Sequence, residues 1–240
     1  MRILITNDDG IASPSLYELV KWAQTKGEVT VVAPKHEQSG KSQGIELIKP
    51  IEIKRTDRFP GALAYVVDST PADCVRFGII GLKTTYDLVI SGINRGYNIG
   101  KDIVYSGTVG AIYEANALGG RAMAVSTDFG SYELAVANLE RVYTYIEENR
   151  LFDLCDLYNV NIPADTVKGI RITRQGGAYY SDDFILVGED LYKQDGVFMY
   201  HDTKNLELDT DAVKNGYISI MPLTVERTDM HVYEKLKSIE

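Results

Sequence analysis

The chain predicts a Rossmann-like α/β fold, a mostly parallel sheet flanked by helices, followed by an antiparallel hairpin extension. Three observations predict it. Strand and helix patterns alternate through the first half, as βαβ units require. The first strand, Arg2-Ile3-Leu4-Ile5-Thr6, runs straight into a polar turn, Asn7-Asp8-Asp9-Gly10. Beyond about residue 165 the pattern changes to short aromatic-rich segments of alternating polarity, which suit antiparallel sheet with one face exposed.

The elements follow in order. After the first strand, Ser13-Pro14 opens a helix through Leu16, Leu19, Val20 and Ala23 that Gly27 stops; proline just inside the start and glycine past the end is the expected asymmetry. Val29 to Ala33 reads as a second strand, ended by Pro34. Ile45-Glu46-Leu47-Ile48 and Ile51-Glu52-Ile53-Lys54 alternate and predict a short antiparallel excursion, and Leu63 to Val67 is a further strand. Thr70-Pro71-Ala72-Asp73 then reads as an N-cap, a proline at the first helical position and an acid favoured by the helix dipole. Tyr86 to Ile90 is an apolar strand, and Tyr105-Ser106-Gly107-Thr108-Val109-Gly110 opens a helix through Ala111, Ala115 and Leu118. In the helix expected from Ser131 to Glu148, Ala135, Leu139, Val142 and Ile146 recur at core-facing spacing. Val160-Asn161-Ile162-Pro163 ends another strand. Gly169 to Thr173, Tyr179-Tyr180, Phe184 to Val187 and Val197 to Tyr200 read as the hairpin strands. Gly216 to Ile220 is a late strand, and a final helix lies around His231 to Leu236.

Composition bounds the function. The 240 residues are 45% hydrophobic and 25% charged, ordinary for one globular domain with its own core. Residues 1–165 read as the α/β body and 166–240 as the extension with the late strand and helix. The net charge of −9 argues against a binder of nucleic-acid polymers, which leans on basic surface. Cys74 and Cys155 lack metal-ligand spacing and read as reduced thiols. No apolar run approaches the ~18–20 residues of a membrane helix, and no leader pattern is visible, so a cytoplasmic location is expected.

Four polar clusters, three after apolar strands and one opening an apolar helix, fall on one edge of such a sheet. They are Asn7-Asp8-Asp9-Gly10, Glu37-Gln38-Ser39-Gly40, Ser91-Gly92-Ile93-Asn94 with the loop to Gly100, and Tyr105-Ser106-Gly107-Thr108. Ligands of open α/β sheets bind beyond the carboxyl ends of the strands. Two adjacent carboxylates there repel unless a cation or proton neutralises them. Alone, Asp-Asp-Gly is as compatible with a solvated turn; the other three clusters decide for a site.

Those clusters also carry a resemblance. Asn-Asp-Asp-Gly-Ile, Val-Ala-Pro-x-x-x-Gln-Ser-Gly, Thr-Pro-Ala-Asp-Cys-Val, Ser-Gly-Ile-Asn-x-Gly-x-Asn-Ile-Gly and Tyr-Ser-Gly-Thr-Val-Gly-Ala occur in this order. The ordered set resembles the SurE family, metal-dependent 5′/3′-nucleotidases, over essentially the whole chain. The resemblance implies metal ligands at Asp8 and Asp9, at Ser39 of Gln-Ser-Gly and at Asn94 of Ser-Gly-Ile-Asn. It implies phosphohydrolysis of nucleoside monophosphates, with a non-catalytic metal or nucleotide sensor as the alternative on the same fold. It also implies a homodimer or homotetramer built through the hairpin region and the final helix, where several of the 16 tyrosines fall.

The ligand chemistry agrees. Two carboxylates, a hydroxyl and an amide oxygen suit Mg²⁺ or Mn²⁺, with Ca²⁺ able to occupy the same site, one ion per subunit. A phosphate needs donors, and the glycine-containing turn Ser106-Gly107-Thr108 at a helix start offers backbone N–H groups and two hydroxyls. Asn98 is a further candidate contact. Asp8 and Asp9 are the candidate catalytic acids; both remain open as the group that positions or deprotonates water, with Asp9 the first choice. His36, His201 and His231 are scattered and form no triad.

Departures from the family pattern are Ser69 before Thr-Pro-Ala-Asp, Met221 in Ser219-Ile220-Met221-Pro222-Leu223, and Ser13-Pro14-Ser15 after the acidic turn. None removes a candidate ligand. An oxidoreductase reading is weak because only Gly10 follows the first strand, without the Gly-x-Gly-x-x-Gly turn. Phosphatases with an aspartyl nucleophile separate their first two acids, whereas Asp8 and Asp9 are adjacent.

Overall fold

The computed structural model describes residues 1–239. A nine-stranded sheet forms its centre, in the order β3-β4-β2-β1-β5-β6-β7-β11-β8. The strands are β1 (Arg2–Thr6), β2 (Glu28–Pro34), β3 (Ile53–Arg55), β4 (Leu63–Val67), β5 (Leu88–Arg95), β6 (Ala122–Thr127), β7 (Leu157–Asn161), β8 (Gly169–Ile172) and β11 (Tyr217–Pro222). β4, β2, β1, β5, β6 and β7 are mutually parallel. At the edges β3 pairs antiparallel with β4, and β11 pairs antiparallel with β7 and parallel with β8.

Helices cover both faces because the central strands are apolar on both, as parallel sheets require. On one face α1 (Pro14–Ala23) and α4 (Glu133–Glu148) pack Leu16, Leu19, Leu139 and Val142 onto Ile3, Ile5 and Val31. On the other, α2 (Pro71–Arg76) and α3 (Gly107–Ala117) pack Cys74, Val75, Val109 and Ile112 onto Leu4, Val32 and Val89. Thr70 caps α2 by accepting from the Asp73 N–H at 3.1 Å, as its sequence predicts. Ser13 precedes α1 without a side-chain cap bond to the backbone.

Several expectations are corrected. Residues 45–48 form no strand: the Glu46 carboxylate accepts from the Ile48 and Lys49 N–H groups at 2.7 and 3.0 Å, closing a turn that leaves Leu47 and Ile48 exposed. Of the next alternating stretch only Ile53–Arg55 pairs. β5 runs five residues past Ile90 with a register shift between Ser91 and Asn94, so its polar cluster is strand rather than loop. β6 has no counterpart in the sequence reading, because Ala122-Met123-Ala124 is short, buried throughout and indistinguishable from helix by periodicity. The short α5 (Asp209–Lys214) is likewise additional.

The hairpin is a separate two-stranded sheet of β9 (Tyr180–Gly188) and β10 (Leu191–Phe198); Gly169 to Thr173, read as a hairpin strand, instead supplies β8 at the edge of the central sheet, parallel to β11. Both faces of the hairpin are largely open, whereas one exposed face was expected. At its base Tyr179, Tyr180, Phe198 and Tyr200 form an aromatic cluster with ring centroids 4.9–6.1 Å apart. The final helix α6 (Met230–Lys237) buries no residue. Cys74 is buried, and both cysteines are free thiols. Among the described residues no helix is long and apolar enough to cross a membrane.

Candidate active site

The order of the sheet locates the site. From β1 the chain steps through α1 to β2 and then to β4 on one side; β5 returns to the opposite side of β1. The crevice between the carboxyl ends of β1 and β5 is therefore a topological switch point, where open α/β sheets hold ligands. A cavity of about 200 Å³ lies there, lined by Asp8, Asp9, Glu37, Ser39, Gly40, Asn94, Arg95, Gly96, Tyr97, Asn98, Asp102, Tyr105, Ser106 and Phe129. The geometry thus brings together Asp8, Asp9, Ser39, Asn94, Asn98 and Ser106, drawn from four segments of the sequence.

Asp8 is 6% exposed, and its Oδ1 accepts from the Thr108 hydroxyl at 2.5 Å. Burial pushes its carboxyl up from 3.8 to about 6; the Thr108 hydrogen bond opposes that rise and the neighbouring Asp9 charge adds to it. Asp9 is half-buried. Burial raises it as well, against the Arg95 N–H that it accepts at 3.3 Å and the Arg95 charge.

The start of α3 rests on Asp8. A Cβ on Gly107 would lie 3.1 Å from both Asp8 Cβ and the Gln38 carbonyl, so glycine permits this close approach. The positive end of α3 then faces the acidic pair. Ser106 caps the helix, its Oγ accepting from the Val109 N–H at 3.1 Å. Thr108 is fully buried and spends its hydroxyl on Asp8, which makes it a support for that carboxylate.

The remaining oxygens are held by local bonds. Ser39 Oγ donates to Glu37 Oε1 at 2.6 Å. Asn94 Nδ2 donates to the Gly96 carbonyl at 2.7 Å, which fixes the amide and leaves Oδ1 as the free acceptor. Asn98 sits in a buried amide network: its N–H donates to Asn161 Oδ1, its Nδ2 to Ser126 Oγ, and its carbonyl accepts from Asn159 and Asn161, all at 2.8–2.9 Å. One Nδ2 hydrogen of Asn98 remains beyond that network.

These residues fit a hard divalent cation. Among the described residues neither Asp8 nor Asp9 belongs to an ion pair, although burial penalises both charges. No cluster of three or more His, Cys, Asp or Glu competes for a metal among them. Two carboxylates with the Ser39 and Asn94 oxygens form the donor set that such an ion takes.

The sequence did not single out Arg95, Tyr97, Asp102 or Phe129 as lining the cavity, nor Glu37 as the partner of Ser39, and it placed Tyr105 only as the first residue of the fourth cluster. Arg95 and Tyr97 lie inside the Ser-Gly-Ile-Asn-x-Gly-x-Asn pattern and were legible as its variable positions. Phe129 follows β6, and with that strand unread nothing placed it at the sheet edge.

Comparison with known proteins accords with this geometry. The family model described as "Survival protein SurE" matches residues 3–182. The chain is 35% identical over 260 residues to a protein of Natranaerobius thermophilus named 5′-nucleotidase SurE, covering 100% of this chain and 99% of the relative. It is 38% identical over 255 residues to the protein of that name from Clostridium beijerinckii, with the same coverage. The crystal structure of the SurE protein from Aquifex aeolicus superposes with a TM-score of 0.80 at 32% identity, over 100% of this chain and 99% of the other. With the family model matching three quarters of the chain and relatives matching all of it, this protein belongs to the SurE family.

Proposed function

We propose that this protein is a divalent-metal-dependent phosphohydrolase that releases phosphate from nucleoside 5′-monophosphates, with 3′-monophosphates and short polyphosphate as further substrates. The observation that carries the reading is the buried Asp8 beside Asp9 at the switch point, in a chain whose relatives are named 5′-nucleotidase SurE. Asp8, Asp9, Ser39 and Asn94 would hold one Mg²⁺ or Mn²⁺ per chain, and Ca²⁺ suits the same oxygens. Such an ion supplies charge that stabilises the phosphoryl oxygens and acidifies water.

The chain's own groups divide the remaining work. Asp8, fixed by Thr108 and largely buried at the cavity wall, acts as a rigid anchor. Asp9 lies on the half-open side and is the group placed to orient and deprotonate the attacking water. The first-turn amides of α3 around Gly107 and Thr108, with Ser106 and the free hydrogen of Asn98, give the phosphate its neutral donors. Arg95, the basic side chain of the lining, offsets the remaining negative charge. A cytoplasmic location belongs to the same reading, supported by the two free thiols. So does a homodimer or homotetramer, supported by the open apolar surfaces of the hairpin and α6.

Purified protein assayed on a panel of nucleoside monophosphates tests the reading. Phosphate release is expected with Mg²⁺ or Mn²⁺, falling to background after exhaustive chelation and returning when either ion is restored. Equal turnover after chelation would remove the metal from the reaction. Nucleotide binding with no turnover under any metal would make the protein a sensor instead.

A further inference from the structure

The cavity at the switch point is too small for the substrate the reading requires. Sites that enclose drug-sized ligands span about 300–1,000 Å³, whereas this one is about 200 Å³. It has room for the phosphoryl end, and the nucleoside has to lie across the rim. Two side chains of the lining are large, aromatic and open to solvent there: Tyr105 at 59% and Phe129 at 69% exposure. Exposed aromatic rings of this size leave apolar area in water, so their position at the mouth calls for a partner.

Each residue is held against the site, Tyr105 through its backbone and Phe129 through its ring. Tyr105 ends the helical turn before α3, and its carbonyl accepts from the Ser42 N–H at 3.0 Å. Phe129 follows β6 and lies against the site loop: a Cβ at Gly96 would come within 2.9 Å of its ring. Because Gly96 has no side chain, the outer end of the ring (Cζ and both Cε atoms) can rest against the site loop while most of the residue stays exposed. Neither residue belongs to the aromatic cluster at the hairpin base.

We propose that Tyr105 and Phe129 form the base-binding element of this enzyme, holding the nucleobase by stacking at the cavity mouth while the phosphate occupies the interior. The inference rests on the nucleotidase reading and adds to it how the substrate's base is recognised. Every base presents a π-face, so stacking tolerates both purines and pyrimidines. The larger purine face gains more from it, which sets the order of preference.

Steady-state kinetics with adenosine and uridine 5′-monophosphates and with ribose 5-phosphate, which lacks a base, decide the matter. In Tyr105→Ala and Phe129→Ala, KM for the nucleotides is expected to rise about five- to hundredfold, the range seen when a base-stacking aromatic is removed. KM for ribose 5-phosphate and kcat for all three stay within about threefold. The preference for adenosine over uridine monophosphate narrows. Tyr105→Phe and Phe129→Tyr keep a ring and are expected to retain wild-type KM. An equal rise for the base-free ester, an effect on kcat alone, or unchanged nucleotide KM would overturn the assignment. Absence of nucleotide hydrolysis by the wild-type protein would instead defeat the nucleotidase reading.

Discussion

Asp8→Asn is expected to lower turnover at least a thousandfold while raising the thermal stability of the metal-free protein. The two effects have one cause. Burial lifts the Asp8 carboxyl from 3.8 to about 6, so above pH 6 the metal-free fold holds a charge it disfavours. Because the folded value lies above the unfolded one, the penalty is absent below about pH 4, grows as pH rises and is complete above about pH 6. A rise of that size corresponds to about 3 kcal/mol, a Tm gain on the order of 6–12 °C for a chain of this length. The gain should appear at pH 7.5 and vanish near pH 4. Added Mg²⁺ or Mn²⁺ should raise the wild-type Tm and move the variant little, since binding energy adds to folding energy only where a site exists. Differential scanning fluorimetry across pH, with and without metal, checks this. Wild-type activity in Asp8→Asn would reduce the acidic doublet to a surface turn.

Deleting the residues after Thr224 is expected to lower the oligomeric state or leave an aggregating protein. Along α6, Met230, Val232, Tyr233 and Leu236 are all exposed, and Phe184, Leu186, Leu191 and Tyr192 are exposed on the hairpin. Exposed apolar side chains this numerous on two elements mark them as candidate interaction surfaces. An obligate interface covering it would bury on the order of 2,000 Å² or more. The proposed metal ligands lie in the turn after β1, in the loop after β2 and on β5, so metal binding should outlast the loss of assembly. Light scattering of full-length and truncated chains reads the difference. A full-length monomer at micromolar concentration would contradict the interface.

The alternating βαβ pattern made most of the sheet legible, and the acidic turn marked its ligand edge. Strong local signals carried these readings: Thr70-Pro71 and Ser13-Pro14 at helix starts and Ala135 to Ile146 at helical spacing, whereas α1 ends at Ala23, four residues before the Gly27 expected to stop it. What stayed hidden depends on tertiary context. β6 is buried on both faces and has no period to read. Glu46 turns an apparently alternating strand into a loop through two short-range bonds. Sequence marked Ser106-Gly107-Thr108 as phosphate donors, but only the fold shows that the Thr108 hydroxyl is engaged by Asp8, 100 positions away. The support of Asn98 by Ser126, Asn159 and Asn161 likewise arises because β5, β6 and β7 are neighbours.

Calorimetric titration with Mn²⁺ tests the central claim most directly, because it reads the ion at the acidic pair independently of turnover. Wild-type protein should bind one ion per chain. At pH 6 binding should release about half a proton, since Asp8 titrates at about 6 and must ionise to bind; at pH 8 the release should disappear. Asp8→Asn should lose most of the affinity and the share of the proton release that Asp8 supplies, leaving only what Asp9, also raised by burial, contributes. No saturable site in the wild type, or the same affinity and stoichiometry in Asp8→Asn, would contradict a metal centre built on Asp8 and Asp9.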